Sequence, residues 1–306
     1  MRRGSLRGDL LSDAAASESL VRGCAGVAAV VVALCAGLWS AQVQAGPWIK
    51  APGETYTKVG ATFFTAEESF NQGLSTGLAY AGQTYNIYGE VGLPGRLQLI
   101  ADLPVVVGTN SSQQGVNYVN QSLGDMRLEL DWGVAEGLPV ALAVEAKVPL
   151  YTPLAQQTSG QITRFPRSAT NFPDPGDGNV DVTVKALAGY SLHPLPAWIT
   201  GELGYRARFD GFVDGIFAVA SAGYFVWPEH IALGVFSNAV INLGDDPNPD
   251  VRLTREFVYV QGYVLVTAAP LDPDLAVTFS AGSIVYARNS AAGNDFGVGV
   301  SYAFGQ

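Results

Sequence analysis

From Asp125 to Trp132 the chain alternates strictly between charged residues (Asp125, Arg127, Glu129 and Asp131) and apolar ones (Met126, Leu128, Leu130 and Trp132). A period of two puts the two sets on opposite faces of a β-strand. The dyad recurs at residues 179–192, where Val180, Val182, Val184, Ala186, Ala188 and Tyr190 oppose Asp181, Thr183 and Lys185. It returns at the end of the chain, with Phe296, Val298, Val300, Tyr302 and Phe304 against Asp295, Gly297, Gly299, Ser301 and Ala303. No segment carries the 3.6-residue apolar period of a helix that could cover these faces. The expected fold is all-β: a transmembrane antiparallel up-and-down barrel of about 12 strands, apolar toward lipid and polar toward its interior.

Strands are expected near residues 55–65, 83–92, 97–107, 125–132, 139–149, 179–192, 197–209, 215–226, 230–242, 252–267, 275–285 and 295–304. Their connections alternate in length. Residues 66–82, 108–123, 150–178 and 243–251 are long, whereas Pro94-Gly95, Glu136-Gly137, His193-Pro194, Pro228-Glu229 and Ala269-Pro270 mark short turns. Outer-membrane barrels pair short periplasmic turns with longer external loops, so both termini are expected in the periplasm. Residues 210–214 break the rule, being short where an external loop is due.

Residues 24–39 form the one continuous apolar run, too short for a comfortable membrane helix and placed where a signal peptide has its apolar core. Arg22 precedes it and Val43-Gln44-Ala45 follows as a small-x-small cleavage site. Residues 1–45 are therefore expected to be an extension plus a cleavable signal peptide, and residues 46–306 the barrel; an uncleaved anchor is the alternative. The polar stretch 1–19 is long for a leader and points to a translation start near Val21. Cys24 and Cys35 both fall in the leader, so the mature chain has no disulfide, thiol nucleophile or cysteine-based metal site. Residues 46–55 are too short to form a plug domain.

With 17 basic and 27 acidic residues and no basic cluster, the chain is not expected to bind nucleic acid. His193 and His230 are its only histidines and both lie in or beside expected periplasmic turns, so no Ser/His hydrolase site can be assembled and no enzyme activity or cofactor is expected. Two acidic clusters, Asp174, Asp177, Asn179 and Asp181, then Asp245, Asp246, Asn248 and Asp250, have the oxygen ligands of calcium loops but not their spacing. No glutamate closes either loop, and turn formation is the preferred account of both, so no metal is expected.

The interior face gathers Asp125, Arg127, Glu129 and Asp131, then Glu145 and Lys147, then Asp181 and Lys185, then Glu202, Arg206 and Arg208, opposite a wall rich in Gly, Ala, Ser and Thr. One reading is a polar lumen that selects solutes by charge; the other is a set of ion pairs bracing a narrow, filled barrel. The third long connection, residues 150–178, is expected to enter the barrel mouth, stiffened by Pro153, Pro166, Pro173 and Pro175. Phe165 and Phe172 would anchor it, and Arg164 and Arg167 would meet Asp125, Glu129 and Glu145; an ordinary surface loop is the alternative. Trp48, Trp132, Trp198 and Trp227, with Tyr56 and Phe304, are expected to form an aromatic girdle at the periplasmic interface, although parity sets Trp198 inside.

Several segments resemble outer-membrane proteins of the MetA-pathway-of-phenol-degradation group and similar barrels. They are Tyr88-Gly-Glu-Val-Gly-Leu-Pro-Gly-Arg-Leu-Gln-Leu with Leu103-Pro104, Leu123-Gly124-Asp125-Met126-Arg127, Gly176-Asp177-Gly178 ahead of Asp181, and Glu202-Leu203-Gly204-Tyr205-Arg206. The resemblance implies a passive outer-membrane channel or uptake barrel for small, often hydrophobic compounds. Its expected partners are outer-membrane lipid and lipopolysaccharide, the barrel assembly machinery and a small-molecule solute. A closed structural or surface-interaction barrel is the other reading. Barrels of this kind end on an aromatic residue read during assembly, whereas here Gly305 and Gln306 follow Phe304.

Overall fold

The computed structural model describes residues 47–305, apart from residues 72, 73, 76, 77, 153–171, 174, 177, 210, 211, 229, 245–255, 269, 270, 289 and 290. The expected leader, residues 1–45, lies outside the described residues. Among those described there is no helix.

The strands in chain order are β1 (Thr55–Asn71), β2 (Leu74–Ser75), β3 (Leu78–Leu93), β4 (Leu97–Ser112), β5 (Asn117–Leu123), β6 (Asp125–Gly133) and β7 (Val140–Pro149). They continue as β8 (Asp181–Ser191), β9 (Ala197–Arg208), β10 (Gly215–Trp227), β11 (Ile231–Asn242), β12 (Glu256–Ala268), β13 (Asp272–Arg288) and β14 (Ala291–Phe304). Successive strands pair antiparallel, and β14 returns to β1 from Thr55 opposite Phe304 to Thr65 opposite Asn294. Closure leaves no edge with unpaired backbone groups, which is the condition for a sheet in lipid. Strand β2 only folds back on the tip of β1, and β5 and β6 run end to end beside β4. Twelve staves therefore close the barrel.

The joint between β5 and β6 is a bulge. Val105 on β4 faces Leu123 but Asp102 faces Arg127, so the register shifts by one residue at Gly124, whose N–H still reaches the Pro104 carbonyl at 2.8 Å. A one-residue slip exchanges the faces of a strand. Arg127, Glu129 and Asp131 point inward below it, Tyr118, Asn120 and Ser122 above it.

Polarity is the inverse of a water-soluble protein. Leu99, Leu128, Leu130, Leu142, Val144, Val184, Leu203, Val235, Phe279 and Phe296 stand exposed on the outside, while Glu145, Lys147, Asp181, Lys185 and Arg208 are buried inside. An apolar belt this continuous is a surface made for lipid rather than water.

The two ends differ, and so do the two sides. At one end the turns are tight, with Gly95 and Arg96 both at positive φ (82° and 62°) between β3 and β4. At the other end, several stretches expected as loops are strand: β1, β3, β4 and β13 run 16 or 17 residues, whereas β7 to β11 run 10 to 13. The connections between β4 and β5 (residues 113–116) and between β13 and β14 are consequently short, further departures from the long-loop rule.

Residues 47–51 run inside the turn end of the barrel. Ile49 packs on Ala141, Ala143 and Leu187, the backbone N–H of Lys50 donates to Gln98 Oε1 at 2.9 Å, and its Nζ lies 3.4 Å from Glu90 Oε2. At Gly92 a side chain would strike the carbonyls of Lys50 and Ala51, so only glycine admits the segment there. The stretch is too short for a domain, but it is long enough to strap the inner faces of β3, β4, β6, β7 and β8. This corrects the expected girdle. Trp132, Trp227 and Phe304 are exposed outside, but Trp48 packs at the inward Gly189, Tyr56 is buried edge-on to Tyr88, and Trp198 lies inside against Phe225 over Gly223.

Candidate functional site

Strand register assembles the interior lattice. Arg127, Lys147, Asp181 and Arg208 lie in one row across β6, β7, β8 and β9, and Glu129, Glu145, Thr183 and Arg206 form the row beside it. In the first row Asp181 takes Lys147 Nζ at 2.8 Å and Arg208 Nε at 3.2 Å. Asn179 closes this group: its Oδ1 accepts from Lys147 at 3.2 Å and from Arg208 at 3.3 Å, and its amide donates to Asp181. Asp125 lies 3.7 Å from Lys147.

Lys185 sits one row further toward the turn end. Its Nζ is 2.6 Å from Glu129, 3.1 Å from Glu145 and 3.7 Å from Glu202, one ammonium among three carboxylates. The ring of Phe217, across from it on β10, lies 5.3 Å from Lys185 Nζ and 5.1 Å from the Arg206 guanidinium. Buried pairs of this kind hold position more than they add net stability, because desolvation offsets most of the attraction.

Around Lys185 opens a cavity of about 250 Å³. Its lining interleaves the charged Asp102, Arg127, Glu129, Asp131, Glu145, Lys185 and Glu202 with Tyr88, Ile100, Leu187, Phe217, Val219, Phe236 and Asn238. The segment 47–51 lies between this cavity and the turn end. A second cavity of about 770 Å³ lies at the loop end, between Tyr80, Ser111 and Gly293.

All eleven charged residues singled out in the sequence on β6 to β9 occupy inward register positions, and the cavity brings six of them together: Arg127, Glu129, Asp131, Glu145, Lys185 and Glu202. Of the third long connection, Arg164, Phe165 and Arg167 lie outside the described residues. Phe172 is described, edge-on to Tyr118 at 5.5 Å, and the carbonyl of Pro173 accepts from Asn120 at 2.9 Å. Of the acidic clusters, Asn179 and Asp181 are engaged by Lys147 and Arg208; Asp174, Asp177, Asp245, Asp246, Asn248 and Asp250 lie outside the described residues. Sequence reasoning missed Asp102, whose side chain accepts from Asn86 at 3.3 Å, and the aromatic members Tyr88, Phe217 and Phe236. The signal for Asp102 was its solitary charge in an apolar strand, blurred because Ile100, Pro104 and Val106 also face inward.

No protein-family model and no curated protein matches the sequence. Among solved structures, an outer-membrane channel from Pseudomonas putida F1 superposes with a TM-score of 0.60 at 14% identity, over 86% of this chain and 100% of that one. The likeness is one of fold. The translocator domain of the autotransporter NalP from Neisseria meningitidis follows with a TM-score of 0.47 at 11% identity, over 95% and 97% of the two chains.

Proposed function

We propose that the protein is a passive conduit for small molecules across the bacterial outer membrane, with its turn end and both chain ends in the periplasm. The observation that carries this reading is the inverted barrel: a closed wall, apolar outside, with ionisable side chains and an internal cavity inside. The Pseudomonas putida structure, described as an outer-membrane channel, supports the assignment to that membrane. The end of the third long connection, on Tyr118 and Asn120, narrows the mouth in this reading. The apolar and aromatic part of the cavity suits a solute that is partly hydrophobic.

A second reading, a closed barrel that acts through its loops, is favoured by the segment 47–51 lying across the turn end. Planar-bilayer recording separates the two. Reproducible conductance steps from the purified, folded barrel support the conduit, and a folded but silent protein supports the closed barrel. Excising residues 156–170 should raise conductance if the connection narrows the mouth; unchanged conductance in a correctly assembled deletion removes that role.

A further inference from the structure

We propose that residues 47–50 are a hinged gate: a strap that shuts the conduit at its turn end when seated, is latched there by the ion pair of Lys50 with Glu90, and opens the conduit by swinging out on the turn at residues 51–54. The inference rests on the conduit reading and says what closes that conduit.

The closed position is built into the wall. Gly92 on β3, Gly133 on β6 and Gly189 on β8 occupy inward register positions, and each makes room for a different part of the strap. A Cβ at Gly92 would stand 2.6 Å from the Lys50 carbonyl oxygen, one at Gly133 would stand 3.0 Å from Ile49 Cγ1, and one at Gly189 would stand 2.7 Å from the Pro47 ring. Pro47 is fully buried in this groove. The seated strap also floors the central cavity. Ile49 packs on Leu187, and Glu90, the partner of Lys50, accepts the Tyr88 hydroxyl at 2.7 Å; Leu187 and Tyr88 both line the cavity.

The attachments allow the strap to leave. Among the described residues it pairs with no strand; it is held by the Lys50 N–H on Gln98 Oε1 at 2.9 Å, by Lys50 Nζ at 3.4 Å from Glu90 Oε2, and by the apolar contacts of Pro47, Trp48 and Ile49. None of these is a ladder bond, so the strap can detach with the sheet intact, which places it among the least costly parts of the molecule to open. Its pivot is the turn Ala51-Pro52-Gly53-Glu54, closed by the Glu54 N–H on the Ala51 carbonyl at 3.0 Å, with Gly53 at φ 90°. Proline followed by a left-handed glycine is the pairing such a turn requires. The Gly53 N–H donates to the Gly92 carbonyl at 3.0 Å, so the pivot stays on the wall while the residues before it move. Elsewhere at the turn end, Trp198 and Phe225 pack on Ala232, Leu265 and Ala276, but these side chains stand on laddered strands. The strap is thus the part of the closure that can move. The latch is a buried pair, with side chains 11% and 0% exposed, and opening must give it up.

The test is planar-bilayer recording of the purified, folded protein beside a variant lacking residues 47–50. The deletion should raise the time-averaged current about twofold or more. Lys50→Gln should raise it in the same direction, and Lys50→Arg should keep the intact level. Residues 46–306 contain no cysteine, so Ile49→Cys combined with Gly133→Cys gives a single defined pair, and the 3.0 Å between the added Cβ and the Ile49 Cγ1 position suits a disulfide. Oxidation of that pair should hold the current down, and reduction should raise it. Equal current from the oxidised and reduced pair overturns the proposal, as does a folded deletion that passes no more than the intact barrel; equal current from Lys50→Gln and the intact protein overturns the latch. Where the deletion does not fold, the cysteine pair, read before and after reduction in one protein, decides. Folded proteins silent in every state sink the conduit reading and the gate with it, whereas current that ignores the strap sinks the gate alone.

Discussion

The interior of the barrel is held by two different kinds of contact. From β6 to β9 the inner face is a lattice of opposite charges centred on Lys185 and Asp181. From β10 to β13 rings are seated over glycine: a methyl group at Gly223, Gly234 or Gly282 would collide with Trp198 at the turn end of β9, Tyr263 or Tyr259 in turn. The charged side fixes its side chains by mutual neutralisation, so removing one member strands the others. The aromatic side fixes them by volume, so adding one atom group is the damaging change. A wall that must stay polar and yet rigid is built by the first method, and a wall that must fill space without charge by the second.

Lys185→Met should give the largest effect, because it leaves Glu129, Glu145 and Glu202 without their shared cation. A loss of about 3–5 kcal/mol in urea refolding into lipid vesicles is expected. A loss under about 1 kcal/mol would mean that water, not Lys185, screens these carboxylates, and the contrast between the halves would fail. On the outer face, Leu128→Arg should cost about 2–4 kcal/mol if it lies near the bilayer midplane, whereas Arg127→Lys, one residue away but inside and keeping the cation, should cost far less in the same assay. The reverse ranking would refute the register.

On the aromatic side, Gly223→Val should cost about 1–3 kcal/mol by overpacking and should shift tryptophan fluorescence as Trp198 is displaced. Normal stability with unchanged emission would show that the ring has room to move. Smallest of all is Asp214→Asn, outside the strands. The hydrogen bond from the Tyr205 hydroxyl, followed by that from the Arg208 backbone N–H, holds the Asp214 carboxyl below the usual carboxylate range. Its contribution is therefore fully present above the unfolded value of about 3.9 and is lost as pH falls through the lower folded value. Urea midpoints across that acid window should drop slightly more for the wild type than for the variant, and parallel curves would show that the contact contributes nothing to stability.

The architecture was legible because alternation is a direct consequence of strand geometry: the window 125–132 reveals β6 with its inner and outer faces, and the turn residues Pro94-Gly95 and Glu136-Gly137 mark hairpins of the turn end. Three features were not. The Gly124 bulge swaps parity within one stave, so extending the odd-numbered inner face of β6 upward would place Val119 and Leu123 inside, whereas both stand exposed outside. The height of β1, β3, β4 and β13 was hidden because their upper parts are as polar as loops. Trp48 was unreadable as an interior residue, and Trp198 was marked as one only by its parity, because tryptophan near a strand end serves an interfacial girdle and an inner plug equally well. What separates the two is the facing glycine, Gly189 or Gly223, many residues away in sequence. Within the site, Lys185 could be assigned inward by parity, but its three acidic neighbours depend on register and tilt between four strands.

Unequal stave length gives the barrel a slanted rim. At roughly 3.4 Å per residue and a tilt near 40°, a 17-residue strand climbs about 45 Å, whereas the ten residues of β7 climb about 25 Å, close to the height of the apolar band of an outer-membrane barrel. The β7 side thus ends flush with the bilayer surface, while β13, β1, β3 and β4 stand some 20 Å clear of it as a half-collar. A molecule arriving along the membrane meets a parapet from one direction and a low threshold from the other. The two longest connections, residues 150–180 and 243–255, both spring from the low side.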